Sequence, residues 1–284
     1  MQKLFENMTH EQADLCALIL SASGVAYTTA RSENSWEIRV NAQDYEYALD
    51  RIKTYFRENP EAPPRLPVVP DQIAKVYTGV WAALALMLFH MAVAYHGVSQ
   101  QLVQNFGAAA DRIMAGETHR AVTALMLHSD LLHLGGNMLG IAIFGSAVCT
   151  VTRPGAGCFL ILLTGIFGNL ANAALHEYGH WSIGASTAVF GAIGLLSAFQ
   201  FWDKFNRPGL RIKAWLPLAG GFALLGILGT GGQRTDMMAH LLGLLAGIGL
   251  GTIYALWVRA PLSDRYQTGC WFLTISILTI SWFR

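Results

Sequence analysis

Seven long stretches almost free of charge, near residues 74–95, 130–151, 156–174, 184–201, 214–230, 237–258 and 266–283, constrain this chain more than any other feature. A helix of about 20 apolar residues crosses the hydrocarbon layer, where backbone polar groups must be satisfied within the segment itself. The sequence therefore predicts an all-α polytopic membrane bundle, its last segment short for a span. Charged residues make up 13% of the chain, about half the usual share of ~25%. A net charge of +1 gives no basis for a nucleic-acid partner.

Lys and Arg set the expected orientation. With the N-terminus cytoplasmic, all of the 19 cationic residues except Arg112, Arg120, Arg234 and Arg284 fall on the inner side, as the positive-inside rule requires. The second, fourth and sixth segments then run from outside to inside. The first sixty residues are mixed polar and lack an early apolar run, so no signal peptide is expected. This compact form suits a bacterial inner membrane. Cys16, Cys149, Cys158 and Cys270 show no paired metal spacing and read as reduced packing residues.

Residues 1–59 read as a small soluble α+β domain of order α-β-β-α. Thr9 and Gln12 make a capping box before a helix through Leu20. Val25–Thr29 and Ser35–Val40 pattern as a hairpin, and Asn41 is placed to cap a second amphipathic helix to Glu58. Residues 60–73, with Pro60, Pro63, Pro64, Pro67 and Pro70, form a stiff linker. A membrane core at 74–260 and an additional C-terminal span at 261–284 complete the division. The outer loop at 96–129 is long and carries Leu102, Val103, Phe106, Ile113 and Met114, apolar residues suited to a membrane interface.

Polar residues gather near the outer ends of three segments. The second carries His128, His133 and Asn137, the fourth Ser186 behind Gly184, and the sixth His240. Ionisable groups at membrane depth are costly and mark candidate sites. A serine hydroxyl becomes a nucleophile when an imidazole takes its proton. His133 and Asn137, four apart on a helix, share a face from which both can donate to an oxyanion. No carboxylate is placed within these segments as a third member; Asp236, four before His240, is placed to position the helix end. A Ser–His dyad is the economical reading. Gly243, Gly247 and Gly251 form a smooth stripe for a close helix, with Ala188, Gly191 and Gly194 offered in return.

These three motifs together resemble the rhomboid family of intramembrane serine proteases. HSDLLHLGGN matches HxxxxHxxxN, GASTAVFG matches GxSx, and AHLLGLLAG matches AHxxGxxxG, within a resemblance covering about residues 74–260. The resemblance implies a six-helix core with an appended seventh span. It makes Ser186 the nucleophile and His240 the base. His133 and Asn137, with the Ser186 amide, would form the oxyanion hole, supported by His128, and Phe190 would stack on His240. It implies transmembrane protein substrates in the bilayer, cleavage towards the outer face, and no metal or organic cofactor. It leaves the oligomeric state open. Two departures stand out: His119-Arg120, near Glu117, replaces a Trp-Arg pair, and Thr187 follows the nucleophile where Gly is common.

Two alternatives have their own residues. His176–His180 reads HEYGH, a literal HExxH that on a helix would present two imidazoles to zinc with Glu177 as base and Asp236 as a candidate third ligand. Gly179 and the short loop argue against a continuous helix there. A rhomboid-like pseudoprotease that only binds membrane clients is the other; the presence of both Ser186 and His240 favours an enzyme.

Overall fold

The capping box at Thr9 opens the first helix as expected: Thr9 Oγ1 accepts from Gln12 N at 3.2 Å, and Thr9 N donates to Gln12 Oε1 at 2.8 Å. The structure is a computed structural model describing residues 1–32, 35–59, 76–176, 179–207, 209–229, 236–258 and 262–283. It divides into two compact units, Met1–Ile73 and Ala74–Arg284. The proline-rich stretch 60–73 lies outside the described residues.

The first unit runs β1 (Gln2–Met8), α1 (His10–Ala22), β2 (Tyr27–Ser32), β3 (Ser35–Val40) and α2 (Tyr45–Glu58). Its antiparallel sheet has the order β1-β3-β2. The sequence reading missed β1, whose pairing with β3 carries register shifts and whose partner lies some thirty residues away. Asn41 does not cap α2. It precedes a single 3-10 turn (Ala42–Asp44), and its side chain instead meets Asp44 Oδ2 at 3.4 Å. Leu20, Ile38, Val40 and Ala48 close the core.

The second unit is helical. Its elements are α3 (Thr78–Tyr95), α4 (Ser99–Phe106), the pair β4 (Ala108–Ala109) and β5 (Trp181–Ser182), α5 (Ala110–Met114) and α6 (Arg120–Thr123). A long helix follows as α7 (Leu131–Gly140), a π turn (Ile141–Gly145) and α8 (Ser146–Thr152). The rest are α9 (Pro154–Leu175), α10 (Ser186–Phe205), α11 (Trp215–Leu228), α12 (Met237–Trp257) and α13 (Asp264–Ile280).

Among the described residues, four helices are long and apolar enough to cross a membrane: Thr78–Tyr95, Leu131–Thr152, Pro154–Leu175 and Met237–Trp257. Three of the seven segments read from sequence fall outside that group. One, α10, has 20 residues, but the bundle buries Thr187 through Leu195 almost without break, so its composition answers to neighbouring helices rather than to lipid. Another, α11, has 14 helical residues, and α13 has 17.

The long loop between the first two segments is folded rather than extended. Arg120, 2% exposed, holds it together by donating to Glu117 at 2.6 Å and to the carbonyls of Gln104 and Gly107 at 3.2 and 3.1 Å. Ile113 is buried, whereas Met114 is exposed. At the other end of the bundle, α13 is fastened to the α8–α9 turn. Gln267 accepts from Ala156 N and donates to Thr152 O, both at 2.9 Å. Trp282, just beyond α13, packs its ring against Phe106 and Phe89.

Candidate active site

Gly184 fixes how the chain enters α10. Its φ of +118° suits a residue without a side chain. A Cβ there would also lie 2.6 Å from His133 Nε2 and 3.3 Å from Asn137 Nδ2. Two anchors hold this turn: Gly184 N donates to Ala124 O at 2.9 Å, and Ala185 N donates to His128 Nε2 at 3.4 Å. Ser186 follows, half-buried, as the first residue of α10. First-turn N–H groups have no acceptor within their own helix and carry the positive end of its dipole. Thr187, the departure after the serine, is helical and buried, a conformation that a β-branched residue adopts without strain.

Asp130 starts α7 by accepting from His133 N at 2.8 Å. That N–H, then the Ser129 hydroxyl, holds the Asp130 carboxyl below its ordinary value. His133 and Asn137 then fall one turn apart, both beside Gly184. Asn137 is 5% exposed, and its Nδ2 has no hydrogen-bond partner among the described residues. A buried amide donor without an acceptor is costly, and here it faces the turn that delivers Ser186. His128 is buried, and burial, with His133 nearby, pushes its pKa down to about 4. A neutral ring suits its contacts: Nδ1 lies 3.3 Å from Met126 O while Nε2 accepts from Ala185.

Helix α12 brings His240 to the same place. A Cβ on Gly243 would strike Thr187 O, one on Gly247 would strike Gly191 O, and one on Gly251 would meet Leu195 O at 3.0 Å. The constant offset makes α10 and α12 parallel and in register, their backbones in direct contact along the glycine stripe. Ala188, expected to face this stripe, instead packs towards Gly165 of α9, and Thr187 takes its place. His240 sits one turn before Gly243, 6% exposed. Phe190, one turn after Ser186, stacks on its ring with centroids 4.6 Å apart and planes at 27°. No carboxylate hydrogen-bonds to His240 among the described residues. Asp236 is engaged elsewhere: Oδ1 caps α12 by accepting from Ala239 N at 3.0 Å, while Oδ2 meets Asn172 Nδ2 and His180 Nε2, both at 2.7 Å.

The HEYGH stretch is not helical where it is described. Helix α9 ends at Leu175, His176 is extended, and Gly179 has φ +74°; Glu177 lies outside the described residues. The His176 and His180 rings stack on each other at 3.8 Å. His176 Nδ1 is taken by Asn172 O at 2.9 Å and His180 Nε2 by Asp236, so these donors do not converge on an open metal position. Sequence reasoning missed the Asn172–His180–Asp236 junction, whose members lie as far as 64 residues apart.

A half-buried hydroxyl at a helix start, an imidazole held by an aromatic ring and an unpaired buried amide donor form a set suited to acyl transfer. Comparison with known proteins gives the family. Residues 115–257 match the Rhomboid domain model. The Bacillus subtilis protein named rhomboid protease GluP is 26% identical over 228 residues, 78% of this chain and 43% of its own length. Rhomboid-like protease 3 of Toxoplasma gondii is 28% identical over 217 residues, 71% of this chain and 79% of its own. A human relative named inactive rhomboid protein 2 is 28% identical over 155 residues, 52% of this chain and 17% of its own. The chain therefore spans less than half the length of the Bacillus relative. With the domain model matched over half its residues, the chain belongs to the rhomboid family.

Proposed function

We propose that this chain is an intramembrane serine endopeptidase that cuts transmembrane segments of other proteins through a Ser186–His240 dyad. The observation that carries the proposal is the Phe190–His240 stack together with the Thr187–Gly243 backbone contact. Together they support an imidazole directed at the helix start bearing Ser186. His240 takes the proton from Ser186 Oγ as it attacks the scissile carbonyl. The oxyanion then receives hydrogen bonds from Asn137 Nδ2, the Ser186 N–H and His133 Nε2. His240 returns the proton to the leaving amine, and water, activated by the same imidazole, hydrolyses the acyl-enzyme.

His133 must carry its proton on Nε2 for this role. Ser129 Oγ donates to Asp130 Oδ2 at 2.7 Å and lies 3.2 Å from His133 Nδ1; rotated to donate to Nδ1 instead, that hydroxyl would select the Nε2–H tautomer. His128 anchors Ala185 behind the nucleophile. The three existing partners of Asp236 argue against a role as third triad member.

The distribution of Lys and Arg supports a cytoplasmic N-terminus and a site towards the outer face. In this reading α10, α11 and α13 join the four longer helices as spans, giving six core helices and an added seventh. Substrate helices must unwind to expose a peptide bond, so small or helix-breaking residues are expected at the cut. One relative is named inactive, but here both the hydroxyl and the imidazole are present, which favours the enzyme over a client-binding pseudoprotease. The test is purified protein in liposomes with a panel of single-span substrates. Cleavage should vanish in Ser186→Ala and His240→Ala while both variants remain inserted. A Ser186→Ala variant that cleaves at the wild-type rate would refute the assignment.

A further inference from the structure

The HEYGH histidines have no part in the reaction proposed above, yet they occupy a junction of three segments. Asp236 Oδ2 receives Asn172 Nδ2 from the end of α9 and His180 Nε2 from the loop before α10, while Oδ1 caps α12. Burial alone would push the Asp236 carboxyl up, but the donors from Ala239, His180 and Asn172 outweigh it and hold it below its ordinary value. His176 backs the arrangement: its ring stacks on His180 and its Nδ1 meets Asn172 O.

Both sides of this junction lead directly to the dyad. Asp236 lies one helical turn before His240. His180 lies six residues before Ser186, and little slack intervenes. The His180 carbonyl accepts from Ala110 N at 3.0 Å, Trp181 and Ser182 pair with Ala109 and Ala108, and Gly184 N is held by Ala124 O.

We propose that His180, assisted by Asn172, is a positioning residue that locks the Ser186-bearing segment to the helix carrying His240 through Asp236. The inference rests on the assignment of Ser186 and His240 as the dyad. The α10–α12 stripe fixes the distance between the two helices lower down; the His180–Asp236 contact fixes their outer ends, where the hydroxyl and imidazole must meet. Loss of the contact lets these ends drift, and a misplacement of about 1 Å costs on the order of 100-fold in rate.

The test uses the full chain in liposomes, with substrate cleavage and the rate of fluorophosphonate labelling measured side by side. His180→Ala should lower kcat at least tenfold with KM within twofold, and slow labelling of Ser186 by a similar factor. His180→Gln, whose amide can donate to Asp236, should recover most of both rates; His180→Leu, of similar size without a donor, should not. Labelling of His180→Ala at the wild-type rate, or equal recovery by Leu and Gln, would overturn the proposal. The dyad assignment fails separately, if Ser186→Ala still cleaves or the wild-type protein is labelled elsewhere than at Ser186.

Discussion

Gly243→Ala tests how far activity depends on the distance between α10 and α12. The added methyl would strike Thr187 O and lie 3.0 Å from Thr187 C and 3.1 Å from Thr187 Cγ2, against 3.4–4 Å for ordinary contact. Two of these neighbours are backbone atoms, which no rotamer change can move. Relief therefore requires the helices to part by about 0.5–1 Å, an overpacking that costs about 1–3 kcal/mol. Since Gly243 is one turn from His240 and Thr187 adjoins Ser186, the displacement falls on the proposed dyad itself. A shift of that size lowers the rate by about 10- to 100-fold. The assay is kcat/KM for a single-span substrate in liposomes, with thermal unfolding measured in parallel. Gly249→Ala on the same helix is the control, because a Cβ there meets nothing within 4 Å; it should behave as wild type. If Gly243→Ala cleaves within threefold of wild type, the helix contact does not set the site geometry.

Asn137→Ala removes one proposed oxyanion donor and should cost about 100-fold in kcat; because Nδ2 has no hydrogen-bond partner among the described residues, the thermal midpoint should move little. Arg120→Ala should destabilise the membrane unit by about 2–3 kcal/mol, since it strips charge-assisted hydrogen bonds from Glu117 and two carbonyls; chemical denaturation in detergent measures this. Gln267→Ala should free α13 from the α8–α9 turn at a cost of about 2 kcal/mol for two buried hydrogen bonds, detectable as earlier proteolytic release of α13. The lowered Asp236 pKa contributes stability that is complete above its ordinary 3.8 and is lost as pH falls through the lower folded value; Asp236→Asn should remove that part of the acid denaturation profile.

Local signals were legible and long-range ones were not. The Thr9–Gln12 box, the glycine stripe and the one-turn spacing of His133 and Asn137 follow from spacing along a helix, which sequence prints directly. Phe190 came from family resemblance, and its stack on His240 is geometry that resemblance alone does not supply. Strand β1 was missed because only its pairing with β3 defines it. Asn41 was misplaced because a 3-10 turn intervenes before α2. His176, His180 and Asp236 read as zinc ligands because HExxH implies a continuous helix, whereas α9 ends at Leu175. What ties His180 to Asp236 is a contact between residues 56 apart, to which no local pattern points. The π turn at Ile141–Gly145 was likewise invisible, although Gly79 of α3 packs against its carbonyl and Ser146.

The most direct measurement is mass-spectrometric mapping of a fluorophosphonate adduct on the purified protein. A single adduct on Ser186, absent from His240→Ala under the same exposure, is the predicted result. An adduct on another residue, or Ser186 modified equally fast without the His240 imidazole, would contradict it.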